Sequence, residues 1–297
     1  MKAVKVDVNN VADFIAYCRK CAAEQDESNV PEDDYLPRED EPAYLLLESN
    51  GDVIGAAAIM LHREYVEAKK ARFRIFHCIN KSYNNYKALL DEILNQSNGV
   101  DFVYCFITEG KSDVRTIWEK LGFTVWRYSW VLERGVHKIN RFEFPEGCSV
   151  KTLAEGKDER AWCDVNNEAF ANMLGHTHLR PEKITEWMKQ DSYIAGGMKM
   201  LWHNDKPIGT IALIKETVND ESVIFIEGLS ILNAYQGRGL GRNLLRYGID
   251  FAKNYGVNKV MLSVNAENES AAKLYFDEGF KKHEIYICYH KTVNQKN

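Results

Sequence analysis

The chain has 297 residues, of which 45% are hydrophobic and 27% are charged, and its formal net charge is −5. That length suits about two domains of ~100–200 residues each. The negative net charge argues against a nucleic-acid-binding protein, because the negatively charged backbone of a nucleic acid attracts basic proteins.

No segment predicts a membrane or secretory protein. The longest nearly apolar run, residues 53–61, is far shorter than the ~18 residues of a membrane span. The N-terminus turns polar too early for a signal peptide. Seven thinly spread cysteines predict free thiols in a reducing compartment, so we expect a cytoplasmic protein with no membrane partner. Cys18 and Cys21 follow a helical pattern with no second pair nearby, so we expect no metal site.

Taken in chain order, the first half of the sequence matches the second. Residues 43–55 read as strand, Asn-Gly turn and strand, and residues 198–209 read the same way. The apolar strand at 101–107 matches 258–264, and Gly122-Phe123 lies 157 positions before Gly279-Phe280. We therefore predict two similar domains, residues 1–140 and 148–297, joined by a segment that contains Pro145 and Gly147.

A strand in the second half leads into a glycine-rich loop. Residues 224–232 alternate, which predicts a strand with Ile224 and Ile226 on one face and Phe225, Glu227, Leu229 and Ile231 on the other. Three glycines follow at every second position, and residues 243–252 have the pattern of an amphipathic helix. A glycine loop before a helix N-terminus lets a phosphate approach unpaired backbone N–H groups, and two arginines add positive charge. The predicted pyrophosphate site comprises Gln236, Gly237, Arg238, Gly239, Leu240, Gly241 and Arg242.

The spacing separates this loop from two better-known phosphate loops. A P-loop needs Gly-Lys-Ser/Thr, which the chain lacks here, and a dinucleotide-binding loop needs one more residue between its last two glycines. Gln-Gly-Arg-Gly-Leu-Gly instead resembles the coenzyme-binding signature of the GNAT superfamily of N-acetyltransferases. The apolar strand 259–265, the segment 268–275, Gly279-Phe280 and the strand-like 284–289 resemble the closing half of the same superfamily. The resemblance implies an α/β (α+β) fold of two tandem domains, each a mixed, mostly antiparallel twisted sheet flanked by helices.

The resemblance also implies a reaction. Acetyl-CoA would serve as co-substrate, and the acetyl group would pass directly to a primary amine, with neither a nucleophilic cysteine nor a metal. Backbone groups of Leu229, Ser230 and Ile231 would bind the pantetheine arm, with an N–H near Leu229 as oxyanion donor. Asn268 would contact the coenzyme, and Tyr275 would protonate the departing thiolate. Glu227 is the candidate base.

Each of these residues also has a purely structural interpretation. Tyr275 could be a core aromatic, Asn268 a helix N-cap, and Glu227 a carboxylate that only attracts the substrate ammonium. Three further residues, Glu168, His176 and His178, lie in the segment expected to cover the acceptor, where a lone histidine is more often structural.

The tandem arrangement resembles the two-domain mycothiol synthases of this superfamily, whose C-terminal domain is the active one. Residues 165–171 add to the likeness, whereas 172–178 depart from it. In the first half, residues 83–89 stand where the second half has its glycine loop, and they contain no glycine. Trp118 replaces Tyr275, and Lys111 replaces Asn268. We expect the first domain to be non-catalytic and to act as a structural partner.

Two other functions fit the same motifs. The chain could be a non-catalytic acyl-CoA-binding sensor, or a peptide or protein N-acetyltransferase. The charge and the likeness favour a small-molecule amine as substrate, in a monomer or homodimer.

Overall fold

The computed structural model describes residues 1–26 and 29–293, and these form two compact units. The first contains residues 1–129 and 285–293, and the second contains residues 130–284. The elements that begin in the first half of the chain are β1 (Lys2–Lys5), α1 (Val11–Lys20), β2 (Ala43–Leu47), β3 (Val53–Met60), α2 (Arg63–Glu67), β4 (Lys70–Cys78), α3 (Tyr83–Gln96), β5 (Phe102–Thr108), α4 (Ser112–Lys120) and β6 (Thr124–Gly135). Those of the second half are β7 (Cys148–Thr152), α5 (Glu159–Phe170), α6 (Pro181–Trp187), β8 (Met198–His203), β9 (Lys206–Val218), β10 (Glu221–Ile231), α7 (Leu240–Tyr255), β11 (Lys259–Asn265), α8 (Glu269–Asp277) and β12 (Lys281–Thr292).

Each unit contains a mixed, mostly antiparallel sheet flanked by helices, as predicted. In the first unit the order is β1-β2-β3-β4-β5, and in the second it is β7-β8-β9-β10-β11. Only one pair in each of these runs is parallel, β4 with β5 and β10 with β11. The starts of β5, α4 and β6 lie 157 positions before those of β11, α8 and β12. The internal repeat is therefore present at the level of whole elements.

The last strands of the two repeats are exchanged. Residues 286–292 of β12 pair antiparallel with Phe102–Thr108, and so belong to the first unit. Residues 130–135 of β6 belong to the second unit, next to β11, where the Val136 N–H donates to the Asn258 carbonyl at 3.1 Å. The units therefore differ from the predicted boundaries of 1–140 and 148–297. Backbone pairing does not depend on where a strand lies along the chain, so sequence order alone could not reveal the exchange.

Helix α7, which begins at the end of the glycine loop, packs against the sheet of the second unit. Its buried positions recur at helical spacing and include Leu244, Leu245 and Ile249, each fully buried. Burying each such side chain contributes about 1.5–3 kcal/mol. Gly248 lets the helix approach closely, because a Cβ there would lie 2.7 Å from Ile211 Cδ1. The helix ends at Gly256, whose φ of 97° is the left-handed conformation that favours glycine.

Two further predictions concern the cysteines and the membrane. Cys18 and Cys21 are both buried in a core cluster of the first unit, packed with Phe14 and Ile75. Within residues 1–26 and 29–293, no helix combines the length and the apolar character that a membrane crossing requires.

Candidate active site

The glycine loop has the backbone geometry that its sequence predicts. A 3₁₀ turn at Asn233–Tyr235 follows β10, and α7 begins at Leu240. Gly237 has φ 74° and Gly239 has φ 78°, both in the left-handed region. A Cβ placed on either of them would meet no protein atom within 4 Å. Glycine is therefore needed for the backbone conformation, and the space in front of it is open.

The N-terminus of α7 opens onto this space. Its first intrahelical hydrogen bond runs from the Asn243 N–H to the Gly239 carbonyl at 3.0 Å. The N–H groups of Leu240, Gly241 and Arg242 consequently have no acceptor within the helix, and they lie at the positive end of the helix dipole. A 16-residue helix that begins in this way is a ready anion site.

The polar side chains of the loop are occupied mainly by the loop itself. The Gln236 amide donates to the Ile231 carbonyl at 2.9 Å and to Asn233 Oδ1 at 3.1 Å, which fixes the loop to the end of β10. The Arg238 guanidinium donates to the Ala234 carbonyl at 3.0 Å and lies over the Tyr235 ring.

Arg242 is held by carboxylates. It donates to Glu278 at 2.7 Å and to Asp277 at 3.2 Å, and these hydrogen bonds raise its pKa. Its guanidinium thus ties α7 to the end of α8. Its backbone N–H, by contrast, has no acceptor within the helix and is free to bind an anion.

A β-bulge divides β10 at the candidate base. Its register against β9 shifts between Glu227 and Ser230, and Gly228 has φ 56°. The extra residue reverses the alternation, so the prediction that Glu227 and Leu229 share a face is wrong. The Gly228 carbonyl accepts a hydrogen bond from the buried Thr210 hydroxyl at 2.8 Å, and that hydroxyl also lies 2.6 Å from Ser230 Oγ. The Ser230 hydroxyl is therefore buried and engaged with Thr210.

Beyond the bulge, β10 and β11 run on without pairing to each other. Their parallel register covers only Ile224–Ile226 against Val260–Leu262. Both strands continue past it, β10 to Ile231 and β11 to Asn265. Among the described residues, the backbone edges beyond the register are therefore available to an extended ligand that pairs as a strand would.

Glu227 combines accessibility with a perturbed acidity. Its side chain is accessible to solvent, yet surrounding protein desolvates the carboxylate and raises its pKa to about 7, with the nearby charge of Glu216 adding to the effect. A carboxyl group that titrates near neutrality is suited to take a proton from an ammonium ion.

Tyr275 has a buried ring and an unshared hydroxyl. The ring packs in the core of the second unit and makes an edge contact with Phe280 at 5.8 Å between centroids. None of the described residues forms a hydrogen bond with the hydroxyl. The hydroxyl oxygen is not fully buried. Burial raises the pKa of Tyr275 to about 12, so the phenol keeps its proton at neutral pH. Packing and proton donation are compatible here.

Asn268 is the N-cap of α8. Its Oδ1 accepts from the Ala271 N–H at 3.2 Å and from Ser270 Oγ at 3.1 Å. The structural interpretation of this residue therefore holds. A coenzyme contact would fall to its amide N–H groups.

The segment expected to cover the acceptor is fastened to the end of β11, where Asn265 Nδ2 donates to the Leu174 carbonyl at 2.9 Å. Within it, His178 Nε2 lies 3.2 Å from Asn167 Nδ2, and the His176 ring packs against Phe170. Glu168 is exposed near the end of α5. The two histidines thus contact residues of α5.

In the first unit, aromatic rings occupy the corresponding region. Trp118 lies 157 positions before Tyr275 and stacks on Phe76, with 5.8 Å between the ring centroids. The register of the two sheets places Phe76 where the second unit has Leu229, because Gly55 pairs with Cys78 as Gly209 pairs with Ile231. Tyr86 completes the cluster, 5.0 Å from Phe76.

The loop and the bulge of the first unit differ as well. Residues 83–89, the predicted counterpart of the glycine loop, lie in the first two turns of α3, and the turn before that helix is 79–82. That turn also contains no glycine. At the position of Glu227, the first unit has Arg74, which is ion-paired with the buried Glu41.

Four residues that support or tune this region were not predicted from the sequence: Thr210, Glu216, Asn265 and Glu278. Only Glu278 left a signal, since it is a charged residue where the first repeat has Leu121.

Comparison with known proteins agrees with this geometry. Residues 160–280 match the acetyltransferase (GNAT) family. A mycothiol acetyltransferase of Corynebacterium glutamicum (strain R) is 28% identical over 54% of this chain, and the match covers only 56% of that relative. Another, from Streptomyces scabiei, is 25% identical over 83% of this chain and 79% of its own length.

Two solved structures share the fold along nearly the whole chain. A tandem GNAT protein from the clavulanic acid biosynthesis pathway superposes with a TM-score of 0.71 at 12% identity, over 100% of this chain and 99% of its own. A GCN5-related N-acetyltransferase from Sphaerobacter thermophilus gives 0.67 at 20% identity, over 99% and 97% of the two chains. At these identities the likeness concerns the fold alone.

Proposed function

We propose that this chain, whose residues 160–280 match the acetyltransferase (GNAT) family, transfers an acetyl group from acetyl-CoA directly to the primary amine of a small molecule. The observation that carries the proposal is the open space before α7. Two left-handed glycines there precede a helix whose first three N–H groups have no intrahelical acceptor. Such a site fits a pyrophosphate.

The rest of the coenzyme has a path from that site. The part of β10 at Leu229–Ile231 that does not pair with β11 would receive the pantetheine arm by main-chain hydrogen bonds, although the Ile231 carbonyl already accepts from Gln236. The Asn268 amide is a further donor. Glu227 would accept the proton that the acceptor ammonium must lose, and Tyr275 would donate its phenol proton to the departing thiolate.

A small cationic acceptor agrees with three observations. The chain carries a net charge of −5, and Glu227 has no ion-pair partner among the described residues. The relatives named mycothiol acetyltransferase are similar to this chain over half its length or more. The names of those relatives support a low-molecular-weight amine as the acceptor of this chain and nothing more specific.

The first unit would take no part in the chemistry. Its aromatic cluster of Phe76, Tyr86 and Trp118 fills the core at the counterparts of Leu229 and Tyr275. Arg74, paired with Glu41, stands at the position of the candidate base. We therefore assign one acetyl-CoA per chain, bound in the second unit.

Paired substitutions at the two ends of α7 test the coenzyme site. Gly239 and Gly256 both have positive φ, and a Cβ at either would meet no protein atom within 4 Å. Gly239→Ala and Gly256→Ala should each lose about 1 kcal/mol of stability. Gly256→Ala thus serves as the control for the effect of backbone strain alone. Only Gly239→Ala should weaken acetyl-CoA binding, by about 10- to 100-fold, since its Cβ would hold the phosphate away from charge-assisted N–H donors worth about 1.5–3 kcal/mol each.

Titration calorimetry gives both the affinity and the stoichiometry. Equal losses in the two variants, or two comparable sites per chain, would contradict the assignment. Release of coenzyme thiol from acetyl-CoA in the presence of a panel of primary amines then tests the reaction. Binding without thiol release would favour the sensor, and release only with peptide amines would favour a peptide acetyltransferase.

A further inference from the structure

The end of α8 carries a buried carboxylate that two arginines of α7 enclose. Glu278 accepts from Arg246 Nε at 2.8 Å and Nη2 at 2.7 Å, and from Arg242 Nη1 at 2.7 Å. The Glu278 side chain is only 1% exposed. Burial opposes its ionisation, but the hydrogen bonds from Arg246 and Arg242 outweigh that effect and lower its pKa. The carboxylate is therefore charged at neutral pH.

This network joins the two helix ends on which the proposed reaction depends. Arg242 lies in the first turn of α7, immediately after the glycine loop, and Arg246 lies one turn further on. Glu278 follows Tyr275 by three residues, and its N–H donates to the Tyr275 carbonyl at 3.1 Å. The phosphate-binding end of one helix is thus tied to the phenol-bearing end of the other.

The first repeat packs the same two helices without these charges. At the repeat spacing of 157, Arg246 corresponds to Leu89 and Glu278 to Leu121, and both leucines lie buried in one core cluster. Apolar residues at these two positions are therefore compatible with the same helix packing. Because desolvation offsets the attraction within a buried ion pair, replacing one with apolar residues of similar volume is often neutral or stabilising. Stability alone does not account for the charges in the second repeat.

We propose that Glu278 is a positioning residue which, through Arg246 and Arg242, fixes the amino terminus of α7 relative to Tyr275. This inference rests on the proposed function, in which the coenzyme spans from the pyrophosphate site to the phenol. Planar bidentate pairing resists sliding and rotation between the helices in a way that a leucine contact does not. A misplacement of about 1 Å at a reacting centre can cost about 100-fold in rate.

The test imports the apolar pair of the first repeat. Glu278→Leu alone leaves Arg246 without its carboxylate and Arg242 with Asp277 only, and it should lower Tm. The double variant E278L/R246L has leucine at both positions, as the first repeat has at Leu89 and Leu121, so its Tm should return to that of the unaltered chain. Its kcat should nevertheless stay about 10- to 100-fold lower, while the Kd for acetyl-CoA changes less than about threefold because the glycine loop is intact.

The measurements are Tm, calorimetric Kd and steady-state kcat on the full chain with one amine. If kcat recovers together with Tm, the network is only structural and the inference is wrong. If Kd rises as much as kcat falls, the network builds the phosphate site rather than positions it, which also overturns the inference. Should the leucine variants not fold, E278Q keeps the side-chain volume and should show the same separation of kcat from Kd. An unaltered chain that neither binds acetyl-CoA nor releases its thiol would refute the proposed function itself.

Discussion

The acidity of Glu227 yields the sharpest prediction. Desolvation and the charge of Glu216 raise its pKa to about 7, so the carboxylate required of a base is lost as the pH falls through neutrality. About half of the molecules are competent at pH 7, one in eleven at pH 6 and about one in a hundred at pH 5. We therefore expect kcat/KM to fall about tenfold per pH unit below 7.

Two substitutions separate this titration from that of the acceptor amine. Glu227→Gln should lower kcat/KM by about 10²–10⁴-fold. It should also remove the acidic limb of the pH profile, which is the fall of kcat/KM below pH 7. Glu216→Gln should keep the plateau but move the limb to lower pH, because removing a neighbouring negative charge lowers the pKa of Glu227. Thiol release measured between pH 5 and 9 with a fixed amine gives all three profiles.

Stability provides an independent measure of the same shift. Since the pKa rises on folding from 4.5, the stabilising contribution of the protonated carboxyl is complete below pH 4.5 and is lost as the pH rises through about 7. Glu227→Gln should therefore be more stable than the unaltered chain at pH 8, by about 1 kcal/mol after allowance for solvent screening, and no more stable at pH 4. A limb that persists in Glu227→Gln, or one that Glu216→Gln leaves in place, would refute the reasoning.

Two predictions concern the proton donor and the exchanged strands. Tyr275→Phe should lower kcat about 10²–10⁴-fold with little change in acetyl-CoA affinity, and unchanged turnover at saturating substrate would leave the residue with packing alone. A fragment of residues 148–297 lacks the strand segment 130–135 beside β11 and retains residues 286–292 without their partner β5. It should aggregate through these open edges, whereas residues 130–284 should stay more soluble in size-exclusion chromatography. A monomeric and fully active 148–297 fragment would show that the exchange is dispensable.

Local signals explain what the sequence could predict. Gly237 and Gly239 indicate a loop with left-handed backbone conformations, because few other residues adopt them. The helix after them has an unbroken apolar stripe, and Asn268 has the chemistry of an N-cap. In each case the residues that specify the structure are neighbours along the chain.

Other features depend on contacts between distant residues, and the sequence did not reveal them. A single residue, Gly228, reverses the faces of β10, and only pairing with β9 exposes the bulge. From the sequence, Arg242 is a candidate phosphate ligand. In the structure its guanidinium donates to Asp277 and Glu278, which lie more than thirty positions away along the chain. The exchanged strands fit either sheet by local pattern, because a half-buried strand specifies a face but not a partner.

The two repeats serve as internal controls for each other. Where their elements coincide but their side chains differ in chemistry, the fold cannot be what requires the difference. Trp118 against Tyr275 and Leu121 against Glu278 are such positions, because the helices α4 and α8 have the same length and spacing. Both differences place an ionisable group in the repeat with the glycine loop and a side chain that cannot ionise in the other repeat. Because replacing a buried ion pair with apolar residues is often neutral or stabilising, stability alone does not account for Glu278, and the difference agrees with the proposal that the second unit binds the ligand.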